Sequence, residues 1–291
     1  MDRIHTLFAA QPRPGAEVLP DDLRAVYDGD ICFPAVPPGR PYVIANFVST
    51  LDGVVTFGVP GQSEGKQISG SNRPDQFIMG LLRASSDAVV VGSTTFEVAG
   101  HDALWFPESA YPPAAAQYRR YREDVLKKSE YPLLVILSGT GQLDLTSAAL
   151  QAKGQRVLII TSEQGKQKLQ SGPHASAMLQ VEVFPAAPER VNPSAILALL
   201  RQEFGVELAL NEGGPNLFGE FLANDLVDEL FLTVAPQIAG RTPQHPRLGL
   251  VENAAFPPAN APWWTLLSAK QAGNHLFLRY RKDPKRVLSQ D

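Results

Sequence analysis

The stretch Glu212-Gly213-Gly214-Pro215 joins an apolar run, VELALN, to a segment with apolar residues at helical spacing, NLFGEFLAND. At the carboxyl end of a strand, such a turn leaves backbone N–H groups of the next helix free, and the helix dipole favours an anion there. Glycine lets the main chain approach a phosphate, and proline in the first helical turn loses no needed donor. The stretch is either a phosphate-binding turn or a plain strand-to-helix connection.

A second turn of the same kind follows the apolar run DAVVVG, where Gly92 ends a predicted strand. The hydroxyls of Thr94 and Thr95 come at the start of the next helix, where they either cap the helix or bind phosphate. Neither glycine turn has the Gly-x-Gly-x-x-Gly spacing, and no Walker lysine follows either of them. A standard Rossmann domain and a P-loop are therefore disfavoured.

A third stretch, ANFVSTLDGVVTFGVPGQSEGKQISGSNRPD, places polar residues at the end of a strand and continues into a long glycine- and serine-rich segment. Such a segment is typical of an active-site loop. Asp52 is the ionisable group of the strand end and is our candidate to bind or protonate a substrate. Its alternative role is in a turn, because Asp-Gly is a good turn dipeptide. No nucleophile elbow of the Gly-x-Ser-x-Gly type is present, so nucleophilic hydrolysis has no support.

Short uncharged strands alternate with helices along most of the chain, which predicts an α/β fold with a mixed, mainly parallel sheet flanked by helices. The predicted strands are 42–50, 87–92, 132–139, 156–162, 180–186, 206–211 and 228–240, and the main helices are 74–85 and a long, basic, exposed helix at 112–129. A hairpin around Ala272-Gly273 ends the sheet in antiparallel pairing. We expect a lead-in segment at 1–41, one domain at 42–283 and a tail at 284–291.

Composition excludes several classes of protein. The chain has 291 residues and a net charge of -4 with no basic block, which argues against a nucleic-acid surface. It has no apolar run of the ~18 residues that a membrane span needs and no secretory h-region, so we expect a cytoplasmic protein. The single cysteine, Cys32, and five scattered histidines predict no internal disulfide and no metal site.

Three motifs, ANFVSTLDG, ISGSNRPDQFIMGLLRASSDAVVVGSTT and LNEGGPNLFGEFLANDLVDELFLTVAPQIAG, together resemble the pyrimidine reductases of riboflavin biosynthesis. These are 5-amino-6-(5-phosphoribosylamino)uracil reductases with a dihydrofolate-reductase-like fold. The signature of the family's zinc deaminase domain is missing, so we expect a stand-alone reductase, with 42–283 as the reductase domain. The resemblance implies NADPH as hydride donor, a ribosylamino-pyrimidine phosphate as acceptor and a homodimer. A long apolar segment, DELFLTVAPQIAG, is consistent with pairing, because an exposed edge of that kind would aggregate unless covered.

The resemblance, together with the polar residues at the predicted strand ends and helix starts, indicates roles for individual residues. The cofactor-binding candidates are Gly92, Thr94, Thr95, Ser138, Gly213, Gly214, Pro215 and Asn216. Thr161 and Ser162, at the end of a neighbouring strand, are candidates to donate to the 2′-phosphate of NADPH. The catalytic candidates are Asp52 and Glu212, and Glu212 either faces the substrate or caps the following helix. The substrate-binding candidates are Asn46, Ser63, Arg73 and Leu104.

One segment departs from the family pattern. Family members carry Asp-Asp-Pro and then an arginine beyond a Leu-Thr pair, whereas VAGHDALWFPES keeps Leu104 and lacks the arginine. Gln76 stands close to the position of a second arginine. Guanidinium groups give charge-assisted bidentate contacts to phosphate, so their loss leaves the acceptor open. A pterin, dihydrofolate-like or other small C=N or C=O substrate is the alternative, and a non-catalytic nucleotide-binding sensor is the third hypothesis.

Overall fold

The structure is a computed structural model, and it describes residues 1–10, 19–59, 64–172, 178–184 and 192–283. The strands are β1 His5–Ala9, β2 Tyr42–Ser49, β3 Val54–Thr56, β4 Ala88–Gly92, β5 Leu133–Ser138, β6 Arg156–Thr161, β7 Met178–Val183, β8 Leu208–Asn211, β9 Glu229–Val234, β10 Leu248–Gly249, β11 Trp264–Ala272 and β12 His275–Lys282. The α-helices are α1 Asp21–Tyr27, α2 Glu64–Ser69, α3 Arg73–Ser85, α4 Ser93–Ala99, α5 Pro107–Ala110, α6 Ala115–Arg120, α7 Ala148–Gln151, α8 Glu163–Gln170, α9 Pro193–Phe204 and α10 Pro215–Ala223.

Within the described ranges, ten strands form one sheet in the order β1-β11-β12-β9-β2-β8-β4-β5-β6-β7. Every pairing from β9 across to β7 is parallel, and β1, β11, β12 and β9 pair antiparallel. The predicted mixed, mainly parallel sheet with an antiparallel hairpin at its carboxyl-terminal end is confirmed. The pair β3 and β10 forms a second, two-stranded sheet that the sequence did not predict.

Helices cover both faces of the sheet, as its uncharged strands require. In β2, Tyr42 and Ile44 belong to a hydrophobic core shared with α1 and α3. The alternate residues Val43, Ala45 and Phe47 belong to a second core shared with α9 and α10. This two-residue alternation follows from the strand's pleat, which sends successive side chains to opposite faces.

In the amino-terminal part of the chain, both β1 and α1 pack against the rest of the protein. β1 pairs with β11, and α1 buries Leu23 and Tyr27. Lys270 on β11 donates to the Thr6 hydroxyl at 2.7 Å and to the Asp28 carbonyl at 2.9 Å, and its Nζ lies 4.2 Å from the ring centroid of Tyr27. The predicted boundary between a lead-in segment and the main domain stays a prediction.

The helix predicted at 112–129 is confirmed over 112–125, but it is neither a regular α-helix nor exposed, because Tyr118, Tyr121 and Arg122 are buried. A short 3-10 turn leads into α6, and the chain then forms a π-helical turn at Tyr121–Val125 and leaves the helix. Arg122 is buried because its guanidinium donates to the carbonyls of Arg83, Ala84 and Ser86, at the carboxyl end of α3. A cation favours those free carbonyls and the negative end of the helix dipole, so this basic residue turns inward.

The strand predicted at 228–240 is shorter than expected and lies inside the sheet. β9 ends at Val234 and is flanked by β2 and β12. The segment therefore presents no exposed edge, and the argument for dimerisation from an uncovered β9 edge is wrong. In the described residues, the open edges of the large sheet belong to β1 and β7.

Candidate active site

Parallel pairing brings the two glycine turns together at the carboxyl edge of the sheet. Val90 of β4 lies opposite Asn211 of β8, and the Glu212 N–H donates to the Val90 carbonyl at 3.0 Å. A Cβ built on Gly214 would lie 3.3 Å from the Thr95 hydroxyl oxygen. Gly92 is the N-cap residue of α4 and Gly214 that of α10, and no side chain caps either helix.

Gly213 and Gly214 are glycines for different physical reasons. A Cβ on Gly213 would clash with the Leu217 side chain, and the Gly213 N–H donates to the Asn211 side-chain oxygen at 2.8 Å. Packing alone therefore requires Gly213. Gly214 has room for a Cβ apart from the Thr95 hydroxyl, and Gly92 has no atom within 4 Å of its Cβ position. Since neither packing nor a left-handed φ demands glycine at 92 or 214, both positions fit a backbone that a ligand approaches closely.

The remaining residues of the two turns differ in exposure. Thr94 and Asn216 are exposed, Thr95 is half-buried, and Pro215 is buried in the first turn of α10. The Asn216 side-chain oxygen accepts a hydrogen bond from the Asn253 amide at 2.8 Å. Three of the predicted cofactor-binding side chains therefore reach the surface of this edge.

The candidates on the next two strands are less open. Ser138 and Thr161 lie opposite each other at the ends of β5 and β6, both are buried, and neither hydroxyl has a hydrogen-bond partner among the described residues. The Ser162 hydroxyl caps α8 by accepting from the Gly165 N–H and also donates to the Gly139 carbonyl. Thr161 has no exposed surface, and a Cβ on Gly165 would collide with its hydroxyl, so contact with a cofactor needs the α8 end to move.

Glu212 pairs with an arginine that the sequence analysis missed. Arg83 donates from Nε to one carboxylate oxygen at 2.9 Å and from Nη2 to the other at 2.7 Å. Both side chains are almost buried, with 7% and 9% of their surfaces exposed. Arg83 also donates to the Leu104 carbonyl at 3.1 Å. The carboxylate of Glu212 thus pairs with α3 and does not cap α10.

Arg73 and Leu104 lie on either side of Arg83 along the chain. Arg73 is exposed at the start of α3, where its guanidinium lies 5.5 Å from the Tyr111 ring centroid. Leu104 packs its half-buried side chain on the core below α3 and presents its main chain to Arg83. Arg73 is therefore accessible to an anion. Leu104, by contrast, contributes its carbonyl group, which the hydrogen bond from Arg83 holds in place.

Asp52 is an exposed residue whose carboxylate ties two loops together. It accepts hydrogen bonds from the Thr50 hydroxyl at 2.6 Å and from the N–H groups of Ala239 and Gly240 at 3.0 and 2.7 Å. These bonds, the one from Ala239 first, hold the pKa of Asp52 well below its usual range, so it is ionised at neutral pH. Of the two roles left open by the sequence, a structural role in the turn fits these hydrogen bonds better than protonation of a substrate.

Asn46 lies on β2 opposite Phe231 and lines a narrow cavity with Ile78 and Thr233, beneath α3. Ser63 lies outside the described residues. The structure therefore places Asn46 on the α3 face of the sheet and gives no position for the serine of the glycine-rich segment.

Asp75, in the first turn of α3, is a titratable group that the sequence analysis did not single out. Desolvation, the largest cause, raises its pKa to about 6, against the hydrogen bonds from Thr233 and Ser69 that lower it. The residue is half-buried, and it sits where α2, α3 and β9 meet. The sequence gives little indication of this environment, because an aspartate near a helix start is ordinarily exposed and stabilised by the helix dipole.

No metal centre or membrane helix emerges from the described ranges. Their His, Cys, Asp and Glu residues form no group of three or more able to hold a metal ion. None of their helices is long and apolar enough to cross a membrane.

Comparison with known proteins gives a consistent result. The sequence model of the RibD C-terminal domain family matches residues 41–278. A 2,5-diamino-6-ribosylamino-4(3H)-pyrimidinone 5′-phosphate reductase of Archaeoglobus fulgidus is 28% identical over 201 residues, which are 69% of this chain and 83% of that protein.

Solved structures share the fold. Acinetobacter baumannii RibD has a TM-score of 0.58 at 24% identity, over 84% of this chain and 59% of that one, so the chain spans little more than half of that RibD. A pyrimidine reductase-like protein of Corynebacterium diphtheriae has a TM-score of 0.61 at 23% identity, over 84% and 93% of the two chains. These likenesses confirm the predicted fold class.

The raised pKa of Asp75 predicts a pH-dependent change in stability. The folded protein binds this proton more tightly than the unfolded chain, whose aspartate pKa is about 3.9, so the group favours folding below pH ~4 and this contribution disappears as the pH rises through about 6. Between pH 4 and 8, Asp75→Asn should therefore gain up to ~3 kcal/mol in unfolding free energy relative to the parent.

Urea unfolding at several pH values measures this difference, since the remaining titrating groups are common to both proteins. Asp21→Asn, which removes an exposed carboxylate on α1, is the control for loss of a charge. Stability curves of parent and Asp75→Asn that run parallel from pH 4 to 8 would show that the Asp75 carboxyl is not desolvated.

Proposed function

The chain belongs to the RibD C-terminal domain family, and from that membership we propose that it is an oxidoreductase using NADPH to reduce a ribosylamino-pyrimidine phosphate to its ribitylamino form. The observation that carries the proposal is the open backbone at Gly214 beside Thr95, at the carboxyl edge of the sheet. The Archaeoglobus fulgidus relative is named for reduction of a ribosylamino-pyrimidinone phosphate. The product of this reaction belongs to riboflavin biosynthesis, as the resemblance of the sequence implies.

The residues of the edge fit a dinucleotide phosphate. Gly92 and Gly214 would let its pyrophosphate approach the backbone at the starts of α4 and α10, where helix N–H groups and dipoles favour an anion. Thr94, Thr95 and Asn216 would donate from their side chains. NADPH, when bound, supplies the hydride, and the protein supplies orientation. The use of NADPH rather than another nicotinamide cofactor is part of the proposal.

The protein's own task in the reaction is to hold the acceptor carbon in a near-attack geometry. Glu212, which Arg83 fixes, would accept hydrogen bonds from hydroxyl or amine groups of the ribosylamine. Asp52, ionised, orders the loop at 239–240 that adjoins its strand end. Arg73, exposed at the start of α3, is the candidate to bind the substrate phosphate.

The function is tested by following NADPH absorbance with purified protein and three acceptors. Oxidation is expected with the ribosylamino-pyrimidinone 5′-phosphate, but not with dihydrofolate or without an acceptor. Product analysis should give the ribitylamino compound. Oxidation with dihydrofolate alone would favour the pterin reductase alternative, and cofactor binding with no turnover on either acceptor would favour a nucleotide-binding sensor.

Two neighbouring glycine substitutions test the cofactor turn. Gly214→Val should keep the fold, because the backbone there has φ -69° and ψ 177° and only the Thr95 hydroxyl is near its Cβ, but it should block the approach of the pyrophosphate. We expect NADPH affinity to fall at least ~100-fold, the loss of about 3 kcal/mol of binding free energy, in titration calorimetry.

Gly213→Ala is the matched comparison, because its Cβ would meet Leu217. It should lower the melting temperature through overpacking, whereas Gly214→Val should not. Parental NADPH affinity in a folded Gly214→Val protein would remove the turn from the proposed cofactor site.

We also propose that the protein is a homodimer, as the resemblance implies. Support comes from exposed apolar side chains at the ends of β2 and β9: Ile238 is 74% exposed and Leu51 61%, and the Leu51 N–H donates to the Gln237 carbonyl at 2.8 Å. Sedimentation velocity at micromolar concentration should give a dimer, and Ile238→Asp should shift it towards monomer. Met178→Asp, at another exposed apolar residue, on β7, should not.

The cytoplasmic location stays a prediction.

A further inference from the structure

We propose that Arg83 is a positioning residue of the substrate site, which fixes the Glu212 carboxylate and cancels its charge so that an anionic, phosphorylated substrate can meet this acceptor. The inference rests on the proposed function, because it takes Glu212 to face the substrate. Arg83 itself does not touch the ligand in this view. It acts through Glu212 and through the main chain of the segment at 104–109.

The contacts of Arg83 support a role through its neighbours. Its Nε and Nη2 bind the two oxygens of Glu212 in parallel, at 2.9 and 2.7 Å. Its Nη1 lies 3.1 Å from the Leu104 carbonyl, 3.3 Å from the Phe106 carbonyl and 3.2 Å from the Ser109 hydroxyl. All three guanidinium nitrogens are thus engaged by protein acceptors, and the side chain is 7% exposed. Arg83 therefore has little donor capacity left for a ligand.

Glu212, by contrast, keeps capacity to accept. A carboxylate has about four lone-pair sites, and Arg83 occupies one on each oxygen. The residue follows the last residue of β8 and precedes the open glycine at 214, so it lies between the proposed cofactor turn and the segment at 104–109. Hydroxyl and amine groups of a ribosylamine are donors that this carboxylate can bind.

Charge is the reason that the pair matters for this substrate class. An unpaired carboxylate in a poorly solvated site would repel a phosphorylated substrate, because charges interact more strongly where the dielectric constant is low. The bidentate pair has no net charge, yet it still offers oxygen acceptors. Lysine could neutralise the charge but could not hold both oxygens, since its ammonium lacks the planar fork of arginine.

Arg83 also joins two parts of the site that are far apart in the chain. Leu104 lies in the segment that departs from the family pattern, and Glu212 lies in the glycine turn. Because one guanidinium binds both, a change at Arg83 is expected to move the carboxylate and the 104–109 main chain together. Arg83 thus holds the Glu212 carboxylate and the 104–109 main chain in a constant relative position, although the segment lacks the arginine of the family pattern.

The test compares binding of two probes, the ribitylamino-pyrimidinone product with and without its 5′-phosphate, by titration calorimetry. Arg83→Met leaves Glu212 uncompensated, so the ratio of the phosphorylated to the dephosphorylated Kd should rise about tenfold. Glu212→Gln leaves Arg83 uncompensated, so the same ratio should fall. Arg83→Lys keeps the charge: its ratio should match the parent's, while kcat falls by about tenfold because the carboxylate is no longer fixed.

Arg40 offers a matched control. It forms another bidentate pair, with Asp228 at 2.6 and 2.7 Å, before the start of β9 and away from the carboxyl edge. Arg40→Met should lower stability without changing the Kd ratio. If Arg83→Met weakens both probes equally, as a purely structural change would, the inference is overturned.

Two further outcomes are separable. Should Arg83→Met fail to fold, Glu212→Gln decides, because a Kd ratio that rises or stays at the parental value contradicts the charge argument. Absence of reductase turnover in a parent protein that binds both probes would overturn the proposed function instead. The Kd ratio needs no turnover, so it tests the charge argument independently.

Discussion

The parallel pairing of β4 with β8 is the constraint on which the candidate site depends. Val90 lies opposite Asn211, the last residue of β8, and β4 ends two residues later at Gly92, so the turns after the two strands adjoin. Residues about 120 positions apart in the chain, Thr95 and Gly214, are thereby brought within contact distance. Parallel strands place their carboxyl ends, and the amino ends of the following helices, at one edge, where an anion is favoured.

The carboxylates that have little access to water differ in whether a basic side chain neutralises their charge. Glu229 has no exposed surface, and it accepts from the Tyr42 hydroxyl, Arg279 and Arg281 at 2.7 to 2.9 Å. This cluster joins β2, β9 and β12, where the parallel part of the sheet meets the antiparallel hairpin. Removing one partner of such a pair is strongly destabilising, because the other charge stays buried. Asp75 accepts hydrogen bonds from the Thr233 and Ser69 hydroxyls, which lower its pKa, but desolvation is the larger effect and raises it.

The carboxylates of the site show how environment assigns roles that residue type leaves open. Asp52 accepts two backbone N–H bonds and one hydroxyl bond, which stabilise its ionised form and commit it to the loop at 239–240. Glu212 is committed to Arg83 but keeps unused lone pairs. Asp52 therefore stabilises the loop, and Glu212 is the proposed hydrogen-bond acceptor for the substrate.

The fold class and the position of the glycine turns could be predicted from the sequence, because both depend on local patterns. Uncharged strands predict a covered parallel sheet, and Gly-Gly-Pro between a strand and a helix predicts an open turn. Only the tertiary structure separated Gly213, which packing requires, from Gly214, which it does not. Likewise, Arg83 and Arg122 look like ordinary basic residues of helices, and both are buried by acceptors distant in the chain. A buried arginine has no local signature, since it meets its carbonyl or carboxylate acceptors only when the chain has folded.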